Sequence, residues 1–354
     1  MRKSEFRKIL RVKRRFEDYL LNLPNVVGVG LGIKRKGGEY LPEPAIVVFV
    51  KKKLPEEQLD VTQVVPHEIE GVKTDVVESG EFRAIIEHPL APSDPDKTSR
   101  VRPARPGVSI GHYKITAGTF GFLVKDRKDG ELVILSNNHV LAFCNAGSPG
   151  DPILQPGTYD GGTTDDKIAE LKRFVLIHST GNHIDAAIAS PVAEVAPEIW
   201  GVNKIQGAPK EVGVGDTIAK SGRTTCYNQN VVESINATVD VHYGCGNIIT
   251  ARFEDQIIVR NPFGQPGDSG SGVFDPNTMH SVGLLFAGSA THTVVNPARY
   301  VEKELDVKFD ISGGGGGPGE ETPEWLRDGV LSLAAVGIVG ILGDRLGGRK
   351  PHKK

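Results

Sequence analysis

Apolar residues in the first part of the chain follow a helical spacing. They recur at intervals of three and four up to residue 23 and predict an amphipathic helix: Phe6, Ile9, Leu10, Phe16, Tyr19, Leu20 and Leu23. The other face is strongly basic and carries Arg2, Lys3, Arg7, Lys8, Arg11, Lys13, Arg14 and Arg15. Such a face indicates either the solvated side of a docked helix or a contact with an anionic membrane or nucleic acid. We favour the solvated face.

The pattern then changes to short runs of β-branched residues. NVVGVGLGIKRK and PAIVVFVKKKL predict a pair of strands, PEEQLD a short helix, and VPHEIEGVKTDVVESG a return to strands. Residues 24–87 are therefore predicted to form a small α+β domain. The segment 88–107 is rich in Pro, Ser and charge, and is predicted to be a linker.

Residues 108–310 contain many short apolar runs separated by turn residues, with no repeated helical pattern between them. This arrangement favours an antiparallel barrel or sandwich over a parallel sheet, which would need crossover helices. A Gly-rich tether is predicted at 311–324 and an apolar helix with a basic tail at 325–354. The uninterrupted run VLSLAAVGIVGILG would span roughly 21 Å as a helix, short of the ~30 Å hydrocarbon core. It favours self-association or docking, with a membrane surface as the alternative.

Charge and cysteine content narrow the setting. The 42 Lys and Arg residues nearly balance the 44 Asp and Glu residues, so the total charge gives no reason to expect nucleic acid. The three cysteines (Cys144, Cys226 and Cys245) cannot all pair, and the first residues lack a secretory signal pattern. Both features predict a cytoplasmic protein, peripheral to a membrane at most. A bridge between Cys226 and Cys245 stays open as an alternative.

Three short stretches carry candidate chemistry. GQPGDSGSGVF places Ser269 among glycines, which allow a tight turn because they reach positive φ at little cost. LVILSNNHVLA places His139 at the end of a strand-like run, and GNHIDAAIA leads Asp185 into an apolar run. A nucleophilic serine needs a base and a carboxylate that orients this base, so the three together indicate hydrolysis. His183 is a weaker candidate for the base.

LSNNHVLA, IDAAIA and GDSGSG resemble, in this order, the three signature blocks of the chymotrypsin-fold (trypsin-like) serine peptidases. The overall pattern, including the N-terminal strands, looks closest to the bacterial and plant NARROW LEAF-type proteases. The resemblance implies a mostly β fold, a double β-barrel, with Ser269 as nucleophile, His139 as base and Asp185 as its orienting partner. It also implies an oxyanion hole formed by the N–H groups of Gly267 and Ser269, and no cofactor or metal.

Further roles follow from the same resemblance. KSGRTT resembles a block of the bacterial members, in which Arg223 would pair with Asp268. The position six residues before the serine holds Phe263 rather than an acid, so a preference for apolar or small residues at the cleaved position is expected. Phe286, Ala287 and Gly288 would line this pocket and pair with the substrate backbone.

The sequence thus predicts a serine endopeptidase that cleaves extended protein segments through an acyl-enzyme and forms a homo-oligomer. The acidic loop with Asp160, Asp165 and Asp166 is predicted to be solvated rather than to bind calcium. Two alternatives remain: a silent or gated barrel that serves as a binding or oligomeric scaffold, and a membrane-linked effector.

Overall fold

The computed structural model describes residues 3–37, 39–84 and 89–311. The predicted tether beyond residue 311 and the predicted apolar helix at 325–354 lie outside these ranges. Within them, no helix combines the length and the apolar character that a membrane crossing requires.

The described chain is mostly β, as the sequence predicts. Its helices are α1 (Lys3–Leu21), α2 (Asn138–Leu141) and α3 (Ala298–Glu304). The first ten strands are β1 (Val26–Lys36), β2 (Glu39–Val50), β3 (Glu68–Ile69), β4 (Val72–Glu78), β5 (Phe82–Ala84), β6 (Ser109–His112), β7 (Gly118–Thr119), β8 (Phe122–Asp126), β9 (Leu132–Ser136) and β10 (Pro152–Leu154). The remaining strands are β11 (Lys167–Phe174), β12 (Ala187–Pro191), β13 (Gly207–Pro209), β14 (Thr217–Gly222), β15 (Cys226–Cys245), β16 (Ile248–Arg260), β17 (Gly272–Phe274), β18 (His280–Gly288), β19 (His292–Pro297) and β20 (Val307–Lys308).

Helix α1 packs its apolar face on β1 and β2. Ile9 and Leu20 are buried there together with strand residues such as Ile46. Two positions differ from the prediction. Tyr19 is half exposed, and Lys13 is buried, where its Nζ donates a hydrogen bond to Thr238 Oγ1 at 2.8 Å. Lys13 therefore belongs to the docked side of the helix rather than to its basic face.

The N-terminal strands β1 and β2 continue directly into the sheet that contains β14–β19, which forms the second barrel. Strand β1 pairs with β2 on one side and antiparallel with β15 on the other, where Gly28 lies opposite Val239. The glycines of VGVGLG permit this close approach. A Cβ on Gly28 would lie 2.9 Å from Val239 Cγ1, and one on Gly30 would lie 3.0 Å from Ala237 Cβ.

The described strands form two sheets, one of twelve strands and one of eight. In the larger sheet the neighbours run in the order β14–β17–β18–β19–β16–β15, and β15 pairs again with β14, which closes a barrel. The smaller sheet runs β20–β8–β9–β12–β11–β10–β6–β7 and has its own buried cluster, with Val108, Phe120 and Leu141 among its members. The candidate residues come from loops of both sheets.

Residues 89–107 of the predicted linker are packed against the second barrel. The N–H of Ser93 donates to the carbonyl of Thr224 at 2.8 Å. Lys97 is fully buried, and its Nζ donates to Ser221 Oγ and to the carbonyl of Gly222, both at 2.8 Å. Its charge is costly to bury, and this burial lowers the pKa of the Lys97 ammonium to about 8. The segment is therefore part of the folded body rather than a free tether.

A disulfide joins Cys144 to Cys245, with 5.9 Å between their Cα atoms, and Cys226 is free. The alternative bridge between Cys226 and Cys245 is therefore wrong. The bond links the segment after α2 to the end of β15 across 101 residues. It ties the loop that carries His139 to the β15–β16 hairpin.

Candidate active site

His139 lies in the first turn after β9. It is buried in the short helix α2, and its Nδ1 lies 2.6 Å from Asp185 Oδ2. The backbone N–H of His139 also donates to Asp185 Oδ1 at 3.2 Å. Its other ring nitrogen, Nε2, has no hydrogen-bond partner in the described part of the chain. The imidazole is thus held from one edge, while the opposite nitrogen stays open to a further proton donor.

Asp185 is fully buried just before β12, and polar groups hold it on every side. Its backbone N–H donates to Asn296 Oδ1 at 3.0 Å, and its carbonyl accepts from Asn137 Nδ2 at 2.7 Å. These two bonds fix the backbone of Asp185. The buried carboxylate loses its hydration and needs partners of its own, and it finds them in the N–H and Nδ1 of His139. The pairing with His139 therefore rests on a fixed carboxylate.

Tyr243 is a site residue that the sequence analysis missed. Its hydroxyl donates to Asp185 Oδ2 at 2.7 Å, and its ring packs edge-on against the His139 ring at 6.2 Å between centroids. Burial and the Asp185 charge raise the pKa of Tyr243 well above its usual value, so the hydroxyl keeps its proton. Tyr243 lies two residues before Cys245. A pairing of Cys245 with Cys144 was the one signal in the sequence that could have indicated that Tyr243 lies near His139.

We expect Tyr243→Phe to lower kcat about tenfold and to leave KM unchanged. The change removes one hydrogen bond to a buried carboxylate, which is typically worth about 1.5–3 kcal/mol, while the rest of the ring stays packed. Steady-state kinetics on a peptide substrate separate the two constants. Tyr227→Phe is the matched control, because Tyr227 lies on the same strand and is 44% exposed. A change in KM alone would mean that Tyr243 touches substrate rather than positioning Asp185.

Ser269 lies on a turn between two glycines whose backbone adopts the left-handed conformation. Gly267 has φ +99° and Gly270 has φ +88°. A Cβ on Gly267 would overlap Thr224 Oγ1, and one on Gly270 would overlap Ser136 Oγ. The N–H of Gly267 donates no hydrogen bond to any residue in the described ranges. Both the conformation and the close packing therefore explain why glycine is needed at these positions.

The serine turn and the histidine helix meet at Gly118. A Cβ there would lie 2.9 Å from the Ser269 carbonyl oxygen and 2.8 Å from Val140 Cγ1, the residue after His139. The N–H of Thr119 donates to the Ser269 carbonyl at 2.7 Å. The fold thus brings the segments of Ser269, His139 and Asp185 to one place, from three distant parts of the sequence.

The predicted pair of Asp268 and Arg223 is wrong. Asp268 pairs with Lys220, whose Nζ lies 3.0 Å from Oδ2, and both side chains are fully buried. The carboxylate also accepts from Thr225 Oγ1 at 2.7 Å and from the N–H of Thr224 at 2.8 Å. Burial alone would raise the pKa of the Asp268 carboxyl, but Lys220 and the hydrogen bonds from Thr225 outweigh it and hold this pKa below its usual value.

Arg223 turns to a different partner. Its guanidinium binds Asp160 through Nε, 2.9 Å from Oδ2, and through Nη2. Asp160 also accepts from Ser109 Oγ at 2.6 Å. Asp166 pairs with Arg100, whose Nε lies 3.2 Å from Oδ1, so the predicted solvated loop is held at two of its three acids. No cluster of acids, histidines and cysteines that could hold a metal ion occurs within the described ranges.

A cavity of about 480 Å³ opens beside the serine turn. Its walls include the segments 264–266 and 288–290, together with Arg83 and Ala84. Gly288 lines this cavity. The other residues predicted for the pocket do not, because they are fully buried in hydrophobic clusters: Phe263, Phe286 and Ala287.

His183, the weaker candidate for the base, contacts other residues. Its Nδ1 lies 2.9 Å from Glu304 Oε1, and its ring stacks on Tyr300 at 4.2 Å between centroids. Its neighbour in sequence, Ile184, is buried in the cluster behind β8 and β9. The geometry therefore favours His139 as the base.

The N-terminal part of the chain matches a known family. Residues 6–77 match the model of the NARROW LEAF 1 N-terminal domain. Protein NARROW LEAF 1 of Oryza sativa subsp. japonica is 25% identical over 303 residues, which cover 75% of this chain and 51% of the rice protein. The resemblance to NARROW LEAF-type proteases that the motifs indicate is thus confirmed at the level of sequence.

Part of the chain is similar in sequence to a bacterial serine protease. Serine protease 2 of Streptomyces fradiae is 38% identical over 76 residues, which cover 22% of this chain and 38% of that protein. The chain therefore spans about half, or less, of the curated relatives it matches. Among solved structures, the Nocardiopsis protease NAPase aligns with 59% of this chain and 100% of its own, at 17% identity and a TM-score of 0.43.

Proposed function

We propose that this protein is a serine endopeptidase with Ser269 as nucleophile, His139 as general base and Asp185 as the group that orients the base. The contact of 2.6 Å between His139 Nδ1 and Asp185 Oδ2 carries the proposal. Because Nδ1–H donates to the carboxylate, the neutral ring presents its lone pair at Nε2, the nitrogen that must accept the serine proton.

The reaction then proceeds by acyl transfer. Ser269 Oγ attacks the scissile carbonyl while His139 Nε2 takes its proton, and the resulting imidazolium returns that proton to the leaving amine. Water hydrolyses the acyl-enzyme by the same route. The N–H groups of Gly267 and Ser269 would receive the developing oxyanion, and one such donor is typically worth about 10²–10³ in rate.

The substrate is an extended protein segment with an apolar or small residue at the cleaved bond. In support, the segments 264–266 and 288–290 of the cavity wall contain no acid. Glu81 also lines the cavity, but its carboxylate pairs with Lys51 at 2.7 Å and with Arg83 at 2.9 Å. Strand β18 ends beside this cavity, and a peptide can bind its edge by strand addition, largely independent of sequence. Homo-oligomerisation, contact with a membrane surface and a cytoplasmic location stay predictions of the sequence.

Labelling with a fluorophosphonate probe tests the proposal. The probe phosphonylates only a serine that its surroundings activate, so we expect label on Ser269, identified by peptide mapping. Ser269→Ala and His139→Ala should both lose the label, whereas Ser271→Ala should keep it. Label on another serine would contradict the assignment. A protein that is folded but takes no label would favour the scaffold alternative. The label should then also be absent from variants in which the packing of the N-terminal segments is weakened.

A further inference from the structure

Strand β5 occupies the edge of β18 that faces the candidate active site. Ala84 lies opposite Ala287 and Arg83 opposite Gly288, in antiparallel register. On its other side β5 runs parallel to β15, with Phe82 opposite Val241. This short strand therefore fills the gap between β18 and β15.

The edge of β18 that β5 occupies runs along the turn that carries Ser269. The N–H of Gly270 donates to the carbonyl of Leu285, and the N–H of Leu285 donates to the carbonyl of Ser271, at 2.8 and 3.0 Å. Ala287 and Gly288 follow directly on the same strand. An extended substrate whose scissile bond reaches Ser269 would pair with these two residues.

Residues 89 and 90 contact the other side of the turn that carries Ser269. The N–H of Leu90 donates to the carbonyl of Pro266 at 3.2 Å, and the Leu90 carbonyl accepts from Arg223 Nη1. A Cβ on Gly267 would lie 3.0 Å from Pro89 Cβ. The chain thus contacts both flanks of the loop that carries Ser269.

One side chain anchors β5. Phe82 is fully buried, and its ring meets Phe49 of β2 edge-on at 6.0 Å between centroids. Phe286 of β18 belongs to the same cluster. Arg83, by contrast, projects outward and pairs with Glu81 at 2.9 Å, with 57% of its side chain exposed. Phe82 and Ala84 are the residues of β5 that enter this cluster, and Phe82 is the larger of the two.

We propose that Phe82–Ala84 is a built-in occupant of the peptide-binding edge, which an extended substrate must displace. Each backbone residue offers one N–H and one C=O, so β18 cannot pair with β5 and with a substrate strand at the same positions. The inference rests on the proposed peptidase function and adds to it a competition between the chain's own strand and the substrate.

Loosening the anchor should therefore activate the enzyme. We expect Phe82→Ala to raise kcat/KM at least tenfold on an apolar tetrapeptide p-nitroanilide. Ile46→Ala is the matched control, because Ile46 is equally buried in β2 but belongs to the cluster under α1. It should lower thermal stability without raising kcat/KM. A folded Phe82→Ala protein with unchanged or lower activity on the peptide would overturn the proposal.

A second pair of variants avoids the core. Arg83→Pro disturbs the strand backbone at an outward-facing position, because proline has no N–H and tolerates only edge positions. Arg83→Ala removes the same side chain and keeps the N–H. Because Arg83 also lines the cavity, Arg83→Ala measures the effect of losing this side chain, and we expect kcat/KM of Arg83→Pro to lie at least tenfold above that of Arg83→Ala. Equal rates in the two variants would contradict a role for the strand pairing.

Hydrogen exchange on the full chain separates this inference from the proposed function. An apolar tetrapeptide aldehyde, which forms a hemiacetal with an active serine, should speed amide exchange at residues 82–84. Inhibition of the enzyme with no change in exchange there would overturn the strand competition and leave the peptidase proposal standing. Absence of both fluorophosphonate label and aldehyde binding in wild type and in Phe82→Ala would remove both.

Discussion

Asp185→Asn is expected to lower kcat about 10⁴-fold, equivalent to about 5.4 kcal/mol of transition-state stabilisation. Asp185 accepts from His139 Nδ1, and this hydrogen bond fixes the ring tautomer that leaves Nε2 without a proton. An amide at this position can donate to Nδ1 instead, which would move the proton to Nε2 and remove the base. The variant should also lose the charge that stabilises the imidazolium.

The change is measured as kcat on a peptide substrate, after unfolding experiments show that the variant folds. Asp240→Asn is the matched control. Asp240 lies on β15, the strand of Tyr243, and its carboxylate pairs with Arg252 at 2.8 Å, with 27% of its side chain exposed. Its replacement should change kcat by no more than a few-fold. A kcat within tenfold of wild type for Asp185→Asn would mean that His139 does not act through this carboxylate.

The residues that the sequence could predict are those that lie in short, compact motifs. His139, Asp185 and Ser269 each sit in a block whose local features indicate its proposed role: a strand end, a carboxylate before an apolar run, a serine between glycines. The glycines at 267 and 270 have a local cause too, because both adopt positive φ. The mostly β class also follows from local patterns, since alternation and turn residues recur along the chain.

Tyr243 could not be predicted, because its role depends on long-range pairing. It reaches Asp185 only when the β15–β16 hairpin folds over α2, where the bond between Cys144 and Cys245 holds it. The path of β5 has the same character. The position of its three residues depends on their register with β18, and no local sequence pattern encodes that register.

The partner of Asp268 was predicted in the right block but at the wrong residue. Lys220 and Arg223 are three positions apart, yet only Lys220 lies within β14, where its side chain points into the barrel. Arg223 follows the end of the strand, and its buried guanidinium pairs with Asp160. The choice depends on strand bounds, which sequence patterns place within a few residues only.

Lys220→Met is expected to lower the free energy of unfolding by about 3–5 kcal/mol, because it leaves the carboxylate of Asp268 buried without a cation. In the wild type the pKa of Asp268 is depressed, so its contribution to stability is present at neutral pH and is lost as pH falls through that pKa. In the variant, burial should raise this pKa, and the stability penalty should fade as acid protonates the carboxyl. The difference between the two proteins in urea unfolding should therefore shrink from about pH 7 to about pH 4.

Two further variants decide whether burial is the cause. Lys73→Met breaks the pair with Glu68, in which both side chains are about half exposed, and should lower the free energy of unfolding far less than Lys220→Met does. Adding Asp268→Asn to Lys220→Met removes the stranded charge and should recover part of the lost stability. Equal losses for Lys220→Met and Lys73→Met, or a difference that does not vary with pH, would mean that Asp268 needs no buried cation. The hydrogen bonds from Thr224 and Thr225 would then be enough to hold the buried carboxylate of Asp268.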